Sequence, residues 1–221
     1  PNPAGRQVEG TALRAGYRSP IGIEGIPHRY GLTIGELSYW IYGRLGSKFP
    51  LHIISCNASP VGKLVMGWTI PLSEDFGGFF TESFCSGQYL WKGTNVTPGI
   101  GTTRPYEFFG APFLEGVSLE DNPLFHDSGV FARWASFTPL GGRYSHERCF
   151  GYQLLLTPEN QYNSLAHSLR LIRCVKDVCP SFRFLDKSPG NDNSLIEMLI
   201  GDKELLDFAQ GSTNWEETKE H

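Results

Sequence analysis

Apolar positions recur at helical spacing in only a few stretches of this chain, and the clearest of them carries its own start signal. Thr33-Ile34-Gly35-Glu36 is the pattern in which a hydroxyl and a carboxylate satisfy the first free amides of a helix. Leu37, Trp40, Ile41 and Leu45 follow at helical spacing, so a helix is expected over residues 34–45. Leu51–Cys56 and Lys63–Met66 are short strand-type runs, and Gly129–Phe137 and Gly151–Leu156 have the same character. Thr157-Pro158-Glu159 has the form of a helix start, with Thr as N-cap and Pro at the first helical position. Leu165, Leu169 and Ile172 would form its apolar stripe and Lys176 its polar end. After a turn-rich spacer, Ser188–Asn193, two short helices are expected over 194–200 and 202–209, then a polar tail that frays.

Residues 1–32, rich in Gly, Pro and Arg, are expected to be extended chain and turns, with Glu9 in a tight Val-Glu-Gly turn. Pro71 through Gly78 has the composition of a boundary, and no internal repeat is present. The run from Gly93 to Pro112 sets five hydroxyl or amide side chains, Arg104 and Glu107 among four glycines and three prolines. Gly and Pro both oppose a helix there, while Tyr106, Phe108 and Phe109 need burial. An ordered loop fixed against a core satisfies both demands. Such a loop suits a hydroxyl-rich ligand such as a sugar. It equally suits a structural crossover whose polar groups bond their own backbone.

The 221 residues allow one large domain or two small ones. Aromatics at 13% with 26 Gly and 15 Pro indicate a loop-rich α/β or α+β protein. A net charge of −4 without a Lys/Arg cluster excludes a nucleic-acid surface. No apolar run reaches the roughly 18 residues of a membrane span. The first residue is Pro1, so a processed or trimmed chain is expected. Five cysteines form no zinc-type spacing; Cys174 and Cys179 are near enough for a disulfide if a helix ends between them, or are free thiols. Asn57-Ala58-Ser59 and Asn95-Val96-Thr97 match the glycosylation pattern.

The common catalytic signatures are missing: no nucleophile elbow, no His-Glu-x-x-His, no phosphate-binding Gly-Lys loop. Carboxylates are left as the chemical groups. Glycoside hydrolysis uses two, one of them a proton donor of raised pKa. Glu36 is explained by its cap, Glu107 could brace its loop against Arg104, and Glu9 has no evident local task.

Four segments then occur in a telling order: Pro1-Asn2-Pro3-x-Gly5-x-x-Val8-Glu9-Gly10, Gly31–Leu37, Met66-Gly67-Trp68, and Gly93-Thr94-Asn95 through Pro112. Together they resemble the bacterial exo-β-N-acetylmuramidases (NamZ-like), long filed as a domain of unknown function. The resemblance implies an α/β fold, α+β in its C-terminal part. Residues 1–70 would be the end of a Rossmann-like half, and 71–221 a smaller C-terminal domain bordering the active-site cleft. It also implies release of terminal N-acetylmuramic acid from peptidoglycan fragments, without metal or cofactor. Glu9, then Glu107, would be the catalytic carboxylates; Asn95, Thr102, Thr103 and Gln153 would bind the sugar, and Arg104 its lactyl carboxylate. The family's Pro-Glu-His-Gly motif would lie upstream, in a missing N-terminal half, and location outside the cytoplasm would follow if the chain is like the family. Ile100 stands where the family usually has Arg, Tyr30 where it has His, and Leu155 where it has a second His. Pro71-Leu72-Ser73-Glu74-Asp75 replaces a Pro-Ser-Pro-Asn stretch. Those exchanges favour the alternative, a non-catalytic carbohydrate- or partner-binding relative; the retained loop and Glu9 favour the enzyme.

Overall fold

The computed structural model describes residues 7–17, 22–55, 79–157, 161–187, 190 and 192–218. The Pro-Asn-Pro segment, the 63–66 strand, Met66-Gly67-Trp68, the 71–78 boundary and the Asn57 glycosylation pattern lie outside them. What is described is a mixed α/β protein of two small antiparallel sheets and a set of helices.

The first sheet is a hairpin. β1 (Glu9–Ala12) pairs antiparallel with β2 (Pro27–Arg29), placing Glu9 opposite Arg29. Glu9 thus opens a strand rather than sitting in a tight turn, and the left-handed φ of 78° falls on Gly10, which tolerates it. α1 (Ile34–Arg44) matches the expected helix, with both bonds of its capping box formed: Glu36 N to Thr33 Oγ1 at 3.3 Å, Thr33 N to Glu36 Oε2 at 2.7 Å. None of its residues is buried. Residues 51–55, expected as strand, have no regular structure. A strand needs a neighbour for its amides, and none among the described residues pairs with this run; Ile54 is 95% exposed.

α2 (Phe79–Gln88) continues into a 3₁₀ turn at Tyr89–Gly93 and packs on α3 (Ser164–Val178). Their crossing is close because Gly87 has no side chain: a Cβ there would overlap the Ser164 carbonyl. The Ser164 hydroxyl donates to Phe84 O at 2.7 Å and accepts from Gly87 N at 3.0 Å, and Gln88 Nε2 donates to Ser168 Oγ at 2.8 Å. Nothing in Phe79-Phe80-Thr81-Glu82-Ser83-Phe84-Cys85-Ser86-Gly87-Gln88 spells an apolar stripe, and α2 was not expected. α3 starts at Ser164, seven residues after Thr157. Asn163 caps it, accepting from Ala166 N at 2.9 Å, while the Thr157 hydroxyl is taken by Ser128 O.

β3 (Phe108–Ala111), β4 (Val130–Phe137) and β5 (Cys149–Leu156) form the second sheet in the order β3-β5-β4, all antiparallel. The ring of Trp91 stacks on Phe109 at 4.9 Å between centroids, and Phe109 on Tyr152 at 5.8 Å, joining the sheet to the 3₁₀ turn. Such contacts add about 0.5–1.5 kcal/mol each beyond burial. α4 (Leu195–Ile200), capped by Ser194 and Glu197, ends at Gly201 in the left-handed region. α5 (Lys203–Ala209) is capped by Asp202, which also pairs with Arg14 at 2.9 Å and so ties the hairpin to the C-terminal helices. α6 (Trp215–Thr218) closes the described chain. Cys85, Cys149, Cys174 and Cys179 are free thiols. Asn95 is buried, so its glycosylation pattern is not displayed by the folded chain.

His167 lies fully inside this core. Phe125 O, at 3.0 Å, can only accept, so Nε2 carries the proton and Nδ1 accepts from Tyr162 O–H at 3.1 Å. Burial lowers its pKa from 6.5 to about 4, outweighing the Phe125 hydrogen bond that raises it. The folded state therefore binds the proton less well than the unfolded state. That stability is complete above pH 6.5 and is lost as pH falls towards 4, by roughly 3 kcal/mol at most. Urea midpoints measured from pH 7 to 4 should fall steeply, and His167→Asn should flatten that slope; parallel slopes would contradict the assignment.

Candidate functional site

A cavity of about 430 Å³ opens between the hairpin, α2 and α4. Thr11, Ile26 and His28 form one wall, Cys85, Ser86 and Tyr89 the second, and Met198 to Ile200 the floor. The lining is mainly apolar with a few polar groups, the usual composition of a small-molecule site.

Behind the His28 wall stands a buried ion pair. Arg29 Nε meets Glu9 Oε1 at 2.9 Å, and Gln7 Nε2 donates to the same oxygen at 2.8 Å. Glu9 Oε2 accepts from Ser86 Oγ at 3.1 Å and from Leu165 N at 3.0 Å, in the first turn of α3. Arg29 reaches on to Ser86 Oγ at 2.6 Å and Ser83 O at 2.7 Å. One carboxylate thus joins β1, β2, α2 and α3. His28 Nε2 lies against Ser86 O, and its ring also meets the Leu199 carbonyl. Burial lowers its pKa, partly countered by the Ser86 hydrogen bond, while the Arg29 charge lowers it further.

Glu82 was not singled out in the sequence. It stands one helical turn before Cys85 and Ser86 on the face of α2 that continues to Tyr89, the spacing that aligns side chains along a helix. Glu82 is half-buried, and loss of solvent raises its pKa although the Arg29 charge pulls it down. That is the state a proton donor needs. Only the i, i+3, i+4, i+7 relation to its neighbours could have flagged it, and that relation exists only once α2 is known to be a helix.

The Gly93–Pro112 loop is ordered and mostly buried. Its polar groups are largely spent inside the protein. Asn95 donates Nδ2 to Ser181 O at 2.8 Å and accepts from Arg183 N at 2.9 Å. Thr102 Oγ1 donates to Gly99 O at 2.7 Å and accepts from Arg104 N at 3.2 Å. Glu107 is buried, accepting from Arg104 Nη1 at 2.9 Å and from Thr81 Oγ1 of α2 at 3.2 Å. Gln153, in register with Phe108, accepts two bonds from Arg133. Thr103 and Arg104 are exposed. The loop therefore gathers Thr102, Thr103, Arg104 and Glu107, whereas Asn95 faces the 181–183 segment, Gln153 the sheet, and Glu9 the hairpin junction.

The C-terminal model of the exo-beta-N-acetylmuramidase NamZ matches residues 85–221, and the N-terminal model matches residues 1–62. The chain belongs to the NamZ family. It is 31% identical over 204 residues to the peptidoglycan beta-N-acetylmuramidase NamZ of Bacillus subtilis (strain 168), covering 86% of this chain and 49% of that protein. Crystal structures of two DUF1343 family proteins from Bacteroides fragilis NCTC 9343 share its fold. They superpose over 100% of this chain and 59% of each of theirs, with TM-scores of 0.75 and 0.67 at 23% and 21% identity. The chain thus spans about half the length of its curated NamZ relative. The cavity lies where the two NamZ segments meet: Thr11 to Leu37 of its wall fall in the N-terminal match, Cys85 to Ile200 in the C-terminal match.

Proposed function

We infer that the cavity receives a terminal N-acetylmuramic acid residue, as part of a glycoside hydrolase acting on peptidoglycan fragments. Membership of the NamZ family supports the substrate class, and the observation that carries the site is a cavity at the seam of the two NamZ segments, with the half-buried Glu82 one helical turn before its wall residues Cys85 and Ser86. Glu82 donates its proton to the glycosidic oxygen as the C1–O bond breaks. The aglycone leaves as an alcohol, and water finally supplies the new C1–O bond. Arg29, whose charge acts on Glu82, stabilises the carboxylate left behind. Glu9 holds Arg29 and Ser86 in the wall. Thr103, exposed on the loop, is the member left to meet ligand; Asn95, Thr102, Arg104, Glu107 and Gln153 keep that loop in shape.

On this reading residues 1–70 complete a Rossmann-like half and 71–221 form the auxiliary domain. The two matched segments and the exposed Ile34, Tyr39, Leu45 and Phe49 on and after α1, a face suited to the remainder of such a half, support that division.

The test is hydrolysis of a chromogenic β-N-acetylmuramide by the 221-residue chain and by Glu82→Gln. Turnover by the parent and a loss of about 100-fold or more in the variant, with the alkaline limb of the pH profile removed, is the expected result. A folded parent without turnover overturns the hydrolase reading for this chain, and equal rates overturn the role of Glu82.

A further inference from the structure

The face that carries Glu82 does not end at Tyr89. In the 3₁₀ turn that prolongs α2, residues three apart eclipse one another, so Lys92 stands over Tyr89. Its Nζ lies 4.4 Å from the Tyr89 ring centroid and 5.9 Å from that of Tyr106. The two rings are themselves stacked, 6.1 Å apart and 28° from parallel. Lys92 is half-buried, yet among the described residues no ion pair and no hydrogen bond reaches its ammonium group. Glu107, next in sequence to Tyr106, is itself engaged by Arg104 and Thr81.

Tyr106 supplies a second, independent observation. It is 1% exposed and adopts a φ of 64°, in the left-handed region that a side chain with a Cβ enters only at a cost. Its amide is locked to Pro98 O at 2.7 Å. The loop thus holds a strained tyrosine beneath a cation that has no protein anion. Strain of this kind persists where the surrounding structure fixes a group for a task.

The geometry points to Lys92, seated on Tyr89 and Tyr106, as the anchor for the carboxylate of a carboxylated sugar bound in the cavity. The inference rests on the sugar reading of the cavity and adds the residue that reads the acid. Tyr89 belongs to both places: it lines the cavity and lies under the ammonium group. An aromatic face suits the apolar face of a sugar ring, and a compact ammonium suits a carboxylate as a point charge. Glu82 and Tyr89 are separated by about 10 Å of helix rise, a length that one sugar ring with its acidic substituent fills. Arg104, the cation that its chemistry alone would nominate, already gives Nη1 to Glu107.

The experiment is an NMR titration of the 221-residue chain with N-acetylmuramic acid, its methyl ester and N-acetylglucosamine. The parent should bind the free acid about fivefold more tightly than the ester, the size of one partly exposed ion pair. Lys92→Met should bring the acid down to the ester without changing the ester's affinity, and Lys92→Arg should keep the preference. A preference that survives Lys92→Met, or that is removed instead by Arg104→Gln, overturns the assignment while leaving the sugar site intact. No binding of any of the three by the folded parent overturns the sugar reading itself, and this inference with it.

Discussion

Glu9→Gln is expected to cost about 3–5 kcal/mol of stability, the penalty for breaking a buried ion pair from one side. Four donors converge on this carboxylate: Gln7 Nε2 and Arg29 Nε on one oxygen, Ser86 Oγ and Leu165 N on the other. A Gln of the same size replaces one acceptor with an NH₂ group. Whichever way the amide turns, two donors then face a third, and Arg29 keeps a charge with no counter-ion in a buried place. Chemical denaturation should show the loss as a lower midpoint at unchanged slope. Combining Glu9→Gln with Arg29→Met should cost much less than the two single losses added together, because the stranded charge is gone. A nearly unchanged midpoint for Glu9→Gln would mean that this network contributes little. The result also bears on chemistry: turnover lost in Glu9→Gln must be compared with the folded fraction before Glu9 is credited with a catalytic step.

Gly87→Ala is expected to destabilise by about 2–3 kcal/mol, although alanine is the better helix former by about 1 kcal/mol. The new methyl group would occupy the place of the Ser164 carbonyl, at the point where α2 meets the start of α3. Relieving the overlap moves the helices apart and stretches the two bonds of the Ser164 hydroxyl. It also disturbs Leu165 N, one of the donors to Glu9. Gly43→Ala is the matched control. Gly43 lies in α1 with nothing within 4 Å of the added carbon, so there the same substitution should stabilise by about 0.5–1 kcal/mol. Thermal unfolding of both variants tests the pair; equal shifts would show that helix propensity, not the crossing, governs position 87.

Much of this protein was legible where the deciding forces act over a turn or less. Thr33 and Glu36 announced α1, the runs 129–137 and 151–156 announced β4 and β5, and the short C-terminal helices fell where expected. The Gly93–Pro112 loop declared itself ordered because its aromatic residues needed burial, and its motif carried the family. Glu107 and Arg104, three residues apart, could be paired on paper and are paired in the fold. α2 was hidden because its residues earn their helix from contacts with α3 and not from a stripe of their own. The run 51–55 misled for the opposite reason: strand-type residues make a strand only beside another strand.

The sequence by itself determined the family, the strands β4 and β5, and the helices α1, α4 and α5, and it displayed every side chain that the site contains. Only the tertiary structure decided what those side chains do. Glu9 gains its task from Leu165, 156 residues away, and Glu82 loses water only because the chain packs around α2. Lys92 comes to lie against Tyr106 as well as Tyr89 only because the 93–112 loop folds back beside α2. Capping and periodicity are local and can be read along the chain. Burial, ion pairing and the protonation they govern depend on which distant residues the fold brings within a few ångströms, and no local pattern encodes that.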